Sequence, residues 1–167
     1  MHVVYVSGIH TKNSPPHESW LRMINAIQNA KEAQVKMESR KKAFLFWMTN
    51  GVSSEDYDLD DSEVIQEFEN LGDFHEYGLS FSFMPASEYF DGHFCYLLST
   101  GGPSEEIRFF PDGKIEFVYK PWFDCQVIDV TKDPVYHWVR EYFNELNMLD
   151  FEAHYDELYY SDSEEIE

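Results

Sequence analysis

Closely spaced carboxylates are the first candidates for chemistry in this chain. Between residues 55 and 69 stand Glu55, Asp56, Asp58, Asp60, Asp61, Glu63, Glu67 and Glu69. Such a pattern can ligate a hard cation through oxygen, or present fixed negative charge to a basic surface. The cation reading starts from Asp56, Asp58 and Asp60, spaced like the opening of an EF-hand loop, with Glu67 at the twelfth position. Asp61 stands at position six, where the sharp turn requires Gly, and Glu63 stands at position eight, where an apolar residue packs. A helix starting near Ser62 would also leave too short a loop to wrap an ion. A solvated acidic loop feeding a helix is expected instead, with no metal. The charge-row reading fares better. Acids two apart on an extended segment lie about 6.5–7 Å apart. Acids four apart on a helix, as with Glu63 and Glu67 or Glu141 and Glu145, lie about 6 Å apart. Either spacing resembles that of successive phosphates on a nucleic-acid strand. The eight acids of 55–69 are therefore the expected partner-binding residues.

Other chemistry is incomplete. The seven histidines include His93, which shares a strand face with Cys95, and His137, one helical turn from Glu141. Each pair supplies two ligands where zinc needs three or four. No HExxH, CxxC or GxSxG occurs, and Cys95, between Phe94 and Tyr96, reads as a buried, inert thiol. The Ser99-Thr100-Gly101-Gly102-Pro103 turn could cradle an anion through its amides, but Glu105 and Glu106 follow at once and would repel a phosphate. Val4-Tyr5-Val6-Ser7-Gly8 resembles a strand end feeding a ligand loop, without a GxGxxG or Walker motif. With 32 acidic residues, no two can be singled out as a catalytic pair. No catalytic residue and no cofactor is expected.

The elements that hold these groups centre on residues 89–123. Strands are expected at 94–99, 105–110 and 114–120, joined by the glycine turn at 100–103 and by a tight Pro111-Asp112-Gly113 hairpin. Ile107 and Phe109, then Ile115, Phe117 and Tyr119, recur with the period of a sheet that has one face on a core. Leu79, Phe81 and Phe83 alternate with serines, marking a strand at 78–84. Val127–Val130 could add another, and residues 1–7 a short strand or paired arm. A helix from about Pro16 to Met37 carries Trp20, Leu21, Ile24 and Ile27 as one apolar stripe. With no Gly or Pro between Pro16 and Asn50, it either runs on or breaks near Ser39. Residues 43–48 read as buried helix, and 62–71 as a helix whose inner face is Val64, Phe68 and Leu71. Asp133-Pro134 starts a helix over 134–148 whose inner face is Val135, Trp138, Val139, Tyr142 and Leu146. Trp20, Trp47, Trp122 and Trp138 read as core or interface anchors. The expected fold is α+β: a four-stranded antiparallel meander with flanking helices and a helical N-terminal extension. The expected division is a basic strand-helix extension at 1–38, an acidic α+β domain at 39–150, and a fraying acidic tail at 151–167. Phe151, Tyr155, Leu158 and Tyr159 would let the first part of that tail pack.

Composition narrows the class. Aromatics make up 17% of 167 residues, enough for a core despite a net charge of −20. Residues 1–50 carry seven Lys/Arg and three acids, a net +4, whereas 51–167 carry five and 29, a net −24. Such a field repels nucleic acid and membranes and attracts basic proteins. Two cysteines without a CxxC, no signal peptide and no apolar span point to a cytoplasmic, soluble chain.

The run LLSTGGPSEEIRFFPDGKIEFVYKPWFD, followed by DPVYHWVREYFNEL, resembles small acidic proteins carried by bacteriophages and plasmids. AFLFWMTNGVSSED is similar to the usual start of such proteins, which leaves 1–36 as an extension; the resemblance spans about 43–146. It implies an anti-CRISPR or antirestriction inhibitor and carries over no functional residue. The expectation is a non-enzymatic DNA mimic that binds a basic nucleic-acid-binding protein or nuclease complex of a host cell, with no direct nucleic acid and no membrane. A dimer stays open. The alternatives are an immunity protein that neutralises a nuclease toxin, a small enzyme, a calcium-binding domain, or acids that serve solubility alone.

Overall fold

The computed structural model describes residues 3–4, 16–49, 74–122 and 124–159. Six antiparallel strands form one sheet: β1 (Val3–Val4), β2 (Ser80–Met84), β3 (His93–Ser99), β4 (Ser104–Phe109), β5 (Ile115–Lys120) and β6 (Gln126–Asp129). Their spatial order is β1-β6-β5-β4-β3-β2. Strands β2 to β5 are the expected meander. The expectation of four strands is corrected by β6, which covers most of the segment read as an optional strand, and by the two-residue β1. Val3 and Val4 pair with Ile128 and Val127. Local periodicity cannot reveal a partner so distant in sequence.

The β4–β5 hairpin forms as its residues dictate. Gly113 takes φ 93°, in the left-handed region that glycine enters without steric cost. The Phe110 amide donates to the Lys114 carbonyl at 3.0 Å, and the Lys114 amide donates to Asp112 Oδ1 at 3.0 Å. The register then sets Phe109 opposite Ile115 and Ile107 opposite Phe117.

Two helices cover one face of the sheet. Helix α1 (Pro16–Met48) is unbroken through 38–39, the expected boundary between extension and body. Of the two alternatives at Ser39, the helix runs on, because no residue there interrupts its hydrogen bonds. Ala33 and Met37 on one side of that point share a single core with Phe44 and Leu45 on the other. Helix α2 (Pro134–Glu145) starts as expected: Asp133 caps it by accepting from the Val135 amide, and proline follows. It ends at Glu145, three residues sooner than expected, with Leu146 as its C-cap and Asn147 left-handed at φ 55°. Its buried residues are Val135, Tyr136, Val139 and Phe143, whereas Leu146 is 45% exposed. The inner face expected from the sequence is corrected accordingly. Tyr136 also donates from its hydroxyl to the Met37 carbonyl at 2.9 Å, tying the two helices.

The core is built from aromatic edges and faces. Phe74 lies 5.1 Å from both Trp138 and Tyr142 and 5.5 Å from Phe44, in edge contacts that favour opposed ring quadrupoles. The opposite face of the sheet is also covered at its centre. His93, Cys95, Glu106, Glu116 and Val118 are all buried there, so β3 to β5 are covered on both faces rather than on one. Residues 151–159 of the expected tail pack against the body. The Ala86 amide donates to the Glu157 carbonyl at 2.8 Å and the Gly92 amide to the Leu158 carbonyl at 2.7 Å. Leu158 is buried, while Tyr155 and Tyr159 stay exposed. No helix among the described residues is long and apolar enough to cross a membrane.

Candidate interaction surface

The disposition of the cations determines where negative charge is displayed. Arg40, on the sheet side of α1, donates from Nε to Glu105 Oε2 at 2.6 Å, with Lys36 Nζ 4.0 Å from the other oxygen. Lys41, next along the helix, reaches the capping carboxylate Asp133 at 2.6 Å. On the far face of the sheet, Arg108 and Lys120 grip opposite oxygens of Glu106, Arg108 Nη2 at 2.6 Å and Lys120 Nζ at 2.8 Å. Lys114 pairs with Glu116 at 2.6 Å. Burial alone would raise the Glu106 pKa, but the Lys120 and Arg108 contacts outweigh it and hold the carboxyl below the usual range. Six cations thus neutralise carboxylates that are buried or half-buried. Glu105 and Glu106, expected to stand beside the glycine turn and repel anions, instead point one into each layer.

The exposed acids lie elsewhere. Glu141, Glu145, Asp150, Glu152, Asp156 and Glu157 are all exposed along 141–157, a stretch without a single Lys or Arg. Helix α2 presents the first two. The others follow on the 3-10 segment Glu152–Glu157 and the turn before it, where Asp150 Oδ1 accepts from the Ala153 amide at 3.0 Å. A shallow groove of about 470 Å³ runs here, lined by Asn144, Asn147, Leu149, Asp150, Phe151 and Glu152. Three of these six acids, Glu152, Asp156 and Glu157, belong to the segment expected as a fraying tail. Phe151 and Leu158, two of the residues expected to let its first part pack, anchor the segment: Phe151 meets Phe94 edge-on at 5.0 Å, and Leu158 is 4% exposed.

The eight acids expected to bind a partner, Glu55, Asp56, Asp58, Asp60, Asp61, Glu63, Glu67 and Glu69, lie outside the described residues. So do the EF-hand-like spacing and the helix expected at 62–71. Among the described residues, no group of three or more His, Cys, Asp or Glu could hold a metal ion.

The remaining candidates resolve into structural roles. His93 and Cys95 do share a face, but the His93 ring lies against Phe90 and Phe110, at centroid distances of 5.3 and 5.2 Å. Burial pushes the Cys95 thiol up to about 12, with Glu106 adding to the shift, so it is protonated at neutral pH. His137 and Glu141 are both exposed. The glycine turn has Gly101 and Gly102 at φ 99° and 90°, and the Trp122 ring lies where a Gly102 side chain would begin, 3.2 Å away. Trp122 and Trp20, expected as core or interface anchors, are 75% and 63% exposed, whereas Trp47 and Trp138 pack against the core. No protein-family model, curated protein or solved structure matches this chain.

Proposed function

We propose that this chain is a non-enzymatic inhibitor whose carboxylates occupy the basic nucleic-acid site of a partner protein, displacing DNA by mimicking its charge. The observation that carries this reading is the inward pairing of cations. Lys36, Arg40, Lys41, Arg108, Lys114 and Lys120 all engage acids of the body, while the exposed acids of 141–157 have no Lys or Arg on their own stretch. A surface of that sign attracts a positively charged cleft and accelerates encounter with it. Holding part of it on α2, over an aromatic core, lowers the ordering cost of binding. The eight acids of 55–69 add to the net negative charge of the chain. Within this reading, the target is a CRISPR or restriction complex of a host cell.

Affinity capture from a bacterial lysate, followed by DNA-displacement assays on the captured protein, tests the proposal. A basic DNA-binding partner released from its DNA is the expected result. A partner that binds DNA equally well with this chain saturating would exclude mimicry, and a secreted nuclease toxin as partner would point to an immunity protein instead. Two charge-reversed variants locate the surface: one at Asp56, Asp58, Asp60, Glu63 and Glu67, the other at Glu141, Glu145, Asp150 and Glu152. Unchanged affinity in both would place the interface elsewhere.

A further inference from the structure

Over its first half, helix α1 carries an apolar stripe that the body does not cover, whereas Leu45, farther along the same line, is buried in the core. Successive residues on a helix turn by about 100°, which brings Ala33, Met37 and Phe44 to one side. Those three are buried in the core, and Asn29 on the same flank donates to Asp124 Oδ2 at 2.8 Å. Trp20, Ile24 and Ile27 fall within about 60° of one another, on a line about 130° around the helix from that seam, with Leu21 and Met23 on either flank. All five are exposed: Trp20 63%, Leu21 48%, Met23 46%, Ile24 46% and Ile27 44%. Five large apolar side chains in two turns of a surface helix mark an interaction site.

We infer that this stripe is the self-association surface of the chain, joining two copies through their α1 helices, packed antiparallel about a two-fold axis near Ile24. Area supports this occupant. With a tryptophan worth about 200 Å², five side chains at about half exposure amount to roughly 500 Å² per copy. Two such patches together reach the roughly 1,000 Å² that a specific interface requires. Charge supports it too. Residues 16–31 carry only Glu18, Arg22 and Lys31, a net +1, whereas 51–167 carry −24. A second copy is therefore repelled least at this end of the molecule. The antiparallel direction then sets the acidic bodies, which hang from the far ends of the helices, apart from one another. The spacing of Trp20, Ile24 and Ile27, four residues and then three, is that of a helix–helix seam.

Sedimentation velocity of the full chain, from about 1 to 100 µM, tests the inference in the affinity range of small interfaces. The expected result is twice the chain mass at the upper end, tightening as salt screens the bodies. Ile24→Glu with Ile27→Glu should give a monomer with the wild-type far-UV spectrum, since both side chains lie outside the core. Ile24→Cys provides a second reading that leaves the rest of the seam intact. Mild oxidation should link two copies covalently, with the wild-type chain as the blank for Cys95 and Cys125. A wild-type chain that stays monomeric throughout would overturn the inference, as would a dimer unaffected by the double variant, or Ile24→Cys failing to cross-link. A monomer that floats with phosphatidylcholine vesicles would assign the stripe to lipid instead, and equally overturn it.

Discussion

His93 shows how a single residue sets a pH response. Its ring is 2% exposed, with Nδ1 2.8 Å from the Asp91 carbonyl, Phe90 and Phe110 against it, and the charges of Arg108, Glu106 and Glu116 nearby. Burial lowers its pKa below 6.5, and Arg108 adds to the shift against the Asp91 carbonyl and the two glutamates. The unfolded chain therefore binds this proton more readily than the folded one. The resulting stability is fully present above about pH 6.5 and is lost as pH falls from there through the folded-state pKa. Chemical denaturation at pH 7.5 and 5.5 should show the loss, and His93→Asn should show a smaller one. An identical slope in both proteins would assign it to other groups. Gly78 offers a steric counterpart. A Cβ there would lie 2.2 Å from the Tyr96 ring, which is fully buried and whose hydroxyl accepts from the Gly78 amide at 2.8 Å. Gly78→Ala should cost about 1–3 kcal/mol, the range of an overpacked core, read as a lower denaturation midpoint. Neither role was legible in the sequence. Periodicity puts His93 on the right face beside Cys95, but Phe110 reaches His93, and the Tyr96 ring reaches Gly78, from other segments.

At the scale of elements, local chemistry was legible and long-range pairing was not. The hairpin at 111–113 and the Asp133-Pro134 helix start each follow from residues within a few positions, whereas the same local signals allow α1 either to run on or to break near Ser39. The attachment of β1 to β6 does not. Nor did size alone identify the seam of α1. Trp20 and Ile24 are exposed although they are large and apolar, and the sheet side, besides Met37 and Phe44, uses Ala33, whose small side chain permits close approach, and Arg40, whose charge meets Glu105. That ion pair joins helix to strand, with the Arg40 side chain 23% and the Glu105 side chain 5% exposed. Removing the cation alone leaves a buried carboxylate whose remaining cation among the described residues is Lys36, at 4.0 Å. Arg40→Met should therefore cost about 3 kcal/mol, whereas Arg40→Met with Glu105→Gln should recover most of it, because the uncompensated charge has gone. Equal losses in the single and double variants, measured by urea denaturation, would show that packing of the arginine stem carries the effect instead.

For the molecule as a whole, the two populations of acid predict opposite responses to salt. Glu105 and Glu106 are buried against their cations, where mobile ions reach them little. The exposed acids of 141–157 repel one another through water. Raising ionic strength from about 20 to 300 mM shortens the screening length from about 20 to 6 Å, which weakens that repulsion far more than the buried pairs. The chain, at −20, should then melt at a higher temperature in sodium chloride, measured at a concentration low enough to hold it monomeric. Affinity for a basic DNA-binding partner should fall over the same range, since it relies on the charge being screened. The pairing is diagnostic. A midpoint that falls with salt would mean that the ion pairs outweigh the repulsion, and that the exposed acids are too well separated to act as one field. A salt-independent affinity would mean that the partner binds an apolar surface, and the carboxylates would then serve solubility alone.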